Sequence, residues 1–170
     1  KDYKENYGMY KDLKTILPKV IENIEANYKN DFDNEKQYVT TDFKGINFKK
    51  GNLIILASRH CLGMTSLALN LLLNIVTKKQ KAAGYITCGN QDEIDITKKL
   101  LSIKSEIPMN KIRSANLNVN DVKKLSEISD GFWNQPIFIN DSPNIFFEEF
   151  ELAASLMVEQ QNVEIIFVDS

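Results

Sequence analysis

Four short apolar runs, each following polar or helical chain, constrain the fold of this sequence more than anything else in it. They are "LIILA" at Leu53–Ala57, "AAGYITC" at Ala82–Cys88, "PIFIND" at Pro136–Asp141 and "VEIIFVDS" at Val163–Ser170. Runs of this length, rich in Ile, Val, Phe and Tyr and bounded by turn residues, read as strands buried on both faces. Longer segments with helical patterning lie between them: "TSLALNLLLNIVT" from Thr65, "DEIDITKKLLSIKSE" from Asp92, "VKKLSEIS" from Val122 and "FFEEFELAASLMVEQQ" from Phe146. Strands alternating with helices predict an α/β domain built on a central, mostly parallel sheet. The 170 residues suffice for one such core. An Asn-Asp pair near Asn120 predicts a helix N-cap, and Gly131 the end of that helix. Phe132 and Trp133, just beyond it, read as a packing anchor.

Ahead of this domain, Lys1–Lys36 read as a polar lead-in, one amphipathic helix and a linker. In "TILPKVIENIEANY", Ile16, Leu17, Val20, Ile21 and Ile24 share one helical face. Pro18 is tolerated only in a first turn, which predicts a start near Leu17. The second segment, 37–170, is the α/β domain.

Composition excludes several classes. A formal net charge of −2 offers no general attraction to nucleic acid or to an anionic membrane surface. No apolar run approaches the roughly 18 residues a membrane span needs, and the first residues have no signal-peptide core. Cys61 and Cys88 are too few for a disulfide framework and lack metal-ligand spacing, so a reducing cytoplasm is the simple expectation. The chain begins without methionine, as a processed chain or a cut piece would.

The turn between the first apolar run and the first long helix carries the chemistry. Residues Ser58, Arg59, His60, Cys61, Leu62, Gly63, Met64, Thr65 and Ser66 occupy the frame of a phosphate-binding loop, G-x-x-x-x-G-K-[ST]. Gly63 and Thr65 are in register, and Met64 stands where the lysine belongs. Strand, loop and helix in that order let backbone N–H groups and a helix N-terminus hold phosphate. The Thr65 hydroxyl is a candidate Mg²⁺ ligand, and Asp169, closing the last apolar run, is the matching carboxylate.

With those residues in view, the sequence resembles the C-terminal, RecA-like motor domain of the DnaB-type replicative helicases. That family's loop reads roughly A-A-R-P-S-M-G-K-T-A-L-A-L-N after an "LIIL" run. Here "LIILASRHCLGMTSLALN" agrees at Ala57, Arg59, Gly63, Thr65 and the "LALN" tail. "LPKVIENIEANY", "VTTDFKGI", "KKLLSIKSEIPMNKIRSANLNVND", "PIFINDSP" and "EIIFVDS" resemble the family's linker helix, the approach to its first strand, its next helix and connector, and its third and Walker B strands. The resemblance implies a RecA-like P-loop fold preceded by a linker helix, ATP and Mg²⁺ as ligands, and a homo-oligomeric ring hexamer. It also implies ATP-driven unwinding of duplex DNA. The face of Ile16, Leu17, Val20, Ile21 and Ile24 would be a subunit interface, docking on the next motor domain or on an intact helicase subunit. An alternative of another class is a non-catalytic interaction module that keeps the motor fold and pairs with an intact helicase or a replication partner.

The departures carry equal weight. Met64 removes the charge that meets the β- and γ-phosphates, and Gly89 occupies the position of the family's water-activating glutamate. His60 replaces a proline, and "KGINFKKGN" is shorter than its family equivalent. Asp92 or Glu93 would replace the glutamate only after a backbone shift of one turn. The sequence stops at Ser170, and the family's DNA-contacting loops and trans-acting arginine finger lie beyond that point. The expectation is weak nucleotide binding, no appreciable hydrolysis and no catalytic residue.

Overall fold

The computed structural model describes residues 12–29, 37–59, 62–89, 91–142 and 145–169. It divides into two units, Lys1–Gln37 and Tyr38–Ser170. The first holds one helix, α1, Leu13–Lys29. It begins a turn earlier than the sequence predicts and carries Pro18 inside. Asp12 explains the early start: its side chain accepts from the Thr15 N–H at 3.0 Å, fixing a first turn ahead of the proline. Nothing described within that unit covers Ile16, Leu17, Val20, Ile21 or Ile24, all of them exposed. The expected lead-in, and most of the linker, lie outside the described residues.

The second unit opens with a two-stranded hairpin, β1 (Tyr38–Thr40) paired antiparallel with β2 (Asn47–Lys49). After the loop come α2 (Met64–Lys79), β3 (Ala83–Thr87), α3 (Glu93–Ser105), α4 (Met109–Arg113), α5 (Val119–Phe132) and β4 (Ile137–Asn140). The last two are α6 (Phe147–Gln161) and β5 (Ile165–Asp169). The main sheet is parallel, in the order β4-β3-β5. Its central strand β3 is buried at every position, as both-face coverage requires. Tyr85 and Phe167 face one side, where Leu69, Leu72, Ile75 and Val76 of α2 and Ile96 and Leu100 of α3 complete the larger core. Ile86 and Ile166 face the other, against Met157 and Val163 at the end of α6 and beyond. This is the α/β fold with a parallel sheet between helices that the alternation predicts, consistent with a RecA-like domain.

Ring and ion-pair contacts tie the hairpin to this core. The Phe48 and Phe167 rings meet edge to face, 6.3 Å between centroids. Asp42, beyond β1, accepts from Lys79 at 2.6 Å, which holds its carboxyl below the usual range. Below β5, Glu164 takes both Lys50 at 2.6 Å and Lys81 at 2.8 Å. Burial alone would raise the Glu164 carboxyl, but the two lysines outweigh it and the net direction is down.

Three expectations fail locally. Leu53–Ala57 forms no strand, and Leu53 is 91% exposed and Ile55 81%. An apolar run becomes a strand only where another strand completes its ladder, and among the described residues none pairs with it. The N-cap near Asn120 is in fact Asn118, whose side chain accepts from Asp121 N at 2.8 Å while Asp121 returns the bond to the Asn118 N–H. This capping box starts the helix before the Asn-Asp pair and carries it through Gly131. Finally, Trp133 is 88% exposed. Phe132 alone reaches the core.

Candidate functional site

The candidate loop enters its helix through one backbone torsion. Gly63 has φ 81° and ψ 30°, the left-handed region, and is the N-cap of α2. A Cβ there would meet only Ser66 Cβ at 3.9 Å, so glycine is required by conformation and not by space. From this cap the chain enters α2 at Met64, and the Leu67 N–H closes the first turn on the Gly63 carbonyl at 2.9 Å. Gly63 brings no side-chain cap to the first-turn N–H groups, the arrangement in which a helix N-terminus takes an anion.

Thr65 sits one residue into α2, half-buried, and its hydroxyl donates to Asp169 Oδ2 at 2.8 Å. Asp169 is held there by β5, in register with Thr87 of β3, and its carbonyl accepts from Cys88 N at 2.8 Å. A third group, which no motif in the sequence singles out, joins them: the Tyr85 hydroxyl donates to the same Oδ2 at 2.7 Å. Tyr85 is 0% exposed. Burial first, then its bond to the Asp169 carboxylate, push the phenol far above its ordinary value. Nothing in the local pattern of "AAGYITC" marks Tyr85 out from a core aromatic. Only the parallel register of β3 and β5 does so.

A cavity of about 970 Å³ opens over this cluster. Ser58, Arg59, Leu62, Gly63, Met64 and Thr65 line it on the loop side, and Tyr85 and Asp169 on the sheet side. Leu53, Ile54 and Leu56 share the wall with β5. The Ser58 hydroxyl is engaged locally, on the Arg59 carbonyl at 3.0 Å. Ser66 is exposed on α2 and is not among the cavity's lining residues. His60 and Cys61 lie outside the described residues. Cys88 is a free, half-buried thiol.

The catalytic groups expected to be missing leave identifiable positions. Met64 is half-buried on the cavity wall, an apolar thioether where the motif has an ammonium. Gly89 lies just past β3, with open space where a Cβ would go. Asp92 caps α3, accepting from Asp95 N at 2.7 Å, and Asp141 binds the Glu93 N–H at 3.1 Å. Asp92 is thus committed to the helix it starts. Lys99, on α3, donates to the Gln91 side chain. Burial lowers its ammonium, Arg113 adds to that, and Asp95 and Asp169 pull the other way.

Among the described residues no three His, Cys, Asp or Glu side chains gather into a metal cluster. The Thr65 hydroxyl and the Asp169 carboxylate are nonetheless a hard-oxygen pair, the donor type Mg²⁺ takes when substrate phosphates complete its shell. The residues present fit that ion as one partner in a ternary site.

Residues 37–170 match the family DnaB-like helicase C terminal domain. Among similar proteins, "Replicative DNA helicase DnaC" of Bacillus subtilis is 25% identical over 98% of this chain and 37% of its own length. "Replicative DNA helicase DnaB" of Treponema pallidum is 22% identical over 94% of this chain and 37% of its own. "Probable replicative DNA helicase" of Trieres chinensis is 30% identical over 72% and 27%. The chain thus spans well under half the length of these relatives. No helix among the described residues is long and apolar enough to cross a membrane. The loop geometry, the Thr65–Asp169 pairing and the family match over 37–170 lead to one conclusion: this chain belongs to the DnaB-like helicase C-terminal domain family.

Proposed function

We propose that this chain is the nucleotide-binding half of a replicative helicase motor that has kept its phosphate loop and lost its hydrolytic groups. The hydrogen bond from Thr65 to Asp169 carries the reading, because it joins the loop helix to the Walker B strand where a metal–phosphate site needs them. Backbone N–H groups after Gly63 would take the phosphates, with Arg59, on the same cavity wall, as the loop's cation. Mg²⁺, when bound with nucleotide, would supply charge neutralisation at the phosphates. The chain's own part is to hold a hydroxyl and a carboxylate in place for it. Met64 offers no donor to the β- and γ-phosphates, and Gly89 no base to the attacking water. Weak binding and negligible turnover follow.

The relatives' names carry over a replicative DNA helicase activity for an intact assembly, and the family resemblance would make it ATP-driven duplex unwinding by a ring hexamer in the cytoplasm. Residues 1–36 would act as the linker, with Ile16, Leu17, Val20, Ile21 and Ile24 docking on a neighbouring subunit. Phosphate release from ATP by the purified chain tests the hydrolytic half of the proposal. Release at background level is expected, and sustained turnover would overturn the loss of function assigned to Met64 and Gly89.

The uncovered face of α1 within its own unit favours a second reading, an interaction module that pairs with an intact helicase. Such a module would ignore nucleotide and lose its partner when Ile16, Val20 and Ile24 are made polar.

A further inference from the structure

The Asp169 carboxylate is held from two sides. Thr65 approaches Oδ2 from the loop helix at 2.8 Å, and Tyr85 approaches the same oxygen from the central strand at 2.7 Å. The two hydroxyls differ in their freedom. Thr65 is half-buried and lines the open cavity, so its hydroxyl can be exchanged onto an incoming ligand. Tyr85 borders the same cavity but is 0% exposed, packed with the core side chains of α2, α3 and β5, and among the described residues Asp169 is the partner of its hydroxyl. A buried hydroxyl without a partner is costly, so the phenol stays on the carboxylate whatever Thr65 does.

We infer that Tyr85 is a positioning residue for Asp169: its hydroxyl fixes the rotation of the carboxylate, so that the remaining oxygen faces the cavity ready for a divalent cation. This rests on the nucleotide–Mg²⁺ reading of the site. Without ligand the two hydroxyls share Oδ2. When Thr65 turns to the ligand, Tyr85 still holds Oδ2, and Oδ1 is the oxygen turned to the cation or its water. Outer partners of this kind orient a metal-binding carboxylate, and their loss commonly costs about 10- to 100-fold in metal affinity. A core phenylalanine would fill the same space and give no such control, which accounts for a tyrosine in the middle of a wholly buried strand.

The test is a titration of the wild-type chain and Tyr85→Phe with a fluorescent ATP analogue, once in Mg²⁺ and once in EDTA. The substitution deletes one oxygen and leaves the ring, and thermal melts verify that both proteins are folded at the assay temperature. The expected result is that Tyr85→Phe loses the Mg²⁺-dependent gain in affinity by roughly tenfold or more, with binding in EDTA unchanged. A purely structural role would lower both arms together, and that result overturns the inference. So does an undiminished Mg²⁺ gain in Tyr85→Phe, which leaves the nucleotide–Mg²⁺ reading standing. A wild-type chain that binds nucleotide equally in Mg²⁺ and EDTA removes the cation from that reading, and the inference falls with it. No binding by the wild type or by Met64→Lys overturns that reading, and the inference falls with it.

Discussion

The hydroxyl of Thr65 and the carboxylate of Asp169 lie 2.8 Å apart across 104 residues of sequence. Their hydrogen bond joins the two halves of a motif that sequence alone places only in order. Removing it has a measurable cost. Thr65→Val keeps the shape and deletes the donor, and a hydrogen bond to a charged group is worth about 1.5–3 kcal/mol. Tyr85 remains on Oδ2, so the lower end applies, and the melting temperature should fall by roughly 3–6 °C. Differential scanning calorimetry checks this, and an unchanged melt would mean the bond contributes nothing to the fold.

Gly84 packs where no side chain fits. A Cβ there would come within 2.7 Å of Met157 Sδ and 3.2 Å of Ile166 Cγ1. Methionine can yield at its flexible end, but Ile166 belongs to the neighbouring strand and cannot move far. Gly84→Ala is therefore expected to cost about 1–3 kcal/mol through overpacking, read as a lower urea midpoint with an unchanged slope. Gly89→Ala, with open space around it, is the control and should melt like the wild type.

Alkaline pH should destabilise the fold through Tyr85. Burial and the Asp169 carboxylate raise its phenol in the folded state, so its contribution is complete below the unfolded phenol value of about 10 and is lost as pH rises above it. Urea melts between pH 8 and 11 should show stability falling on the alkaline side. Tyr85→Phe removes the titrating group and should flatten that limb. Equal slopes for the two proteins would show that Tyr85 is not the group responsible.

The exposed run Leu53–Leu56 should make the isolated chain self-associate. Four consecutive apolar side chains on a segment with no strand partner among the described residues offer a template for pairing with another chain. Leu53→Lys with Ile55→Lys should reduce concentration-dependent association in sedimentation velocity and leave the melting temperature within about 2 °C, as exposed positions usually do. A large loss of stability would mean that these side chains are buried in solution.

Much of the fold and half of the site are legible in the amino-acid sequence. The helices and the central strand carry their own periodicity, and Gly63, Thr65 and Asp169 are marked by motif spacing. Leu53–Ala57 is not legible as unpaired, because its strand character depends on a neighbour and not on its own residues. Asn118 outcompetes the more obvious Asn-Asp pair because Asp121 can return its hydrogen bond. Trp133 is an aromatic suited to anchoring, but the helix runs one residue past Gly131, and Phe132, not Trp133, packs against the core. Tyr85 is hidden for a different reason: its role exists only across the β3–β5 register.

The central claim is that a phosphate site survives without its lysine. The most direct measurement is the affinity of a fluorescent ATP analogue in Mg²⁺ for the wild-type chain and for Met64→Lys. The account predicts weak binding by the wild type and binding tighter by about tenfold or more in the variant, as one added charge-assisted hydrogen bond would give. Binding by neither protein would contradict it, leaving the loop as inherited shape and α1 as the surface that carries the function.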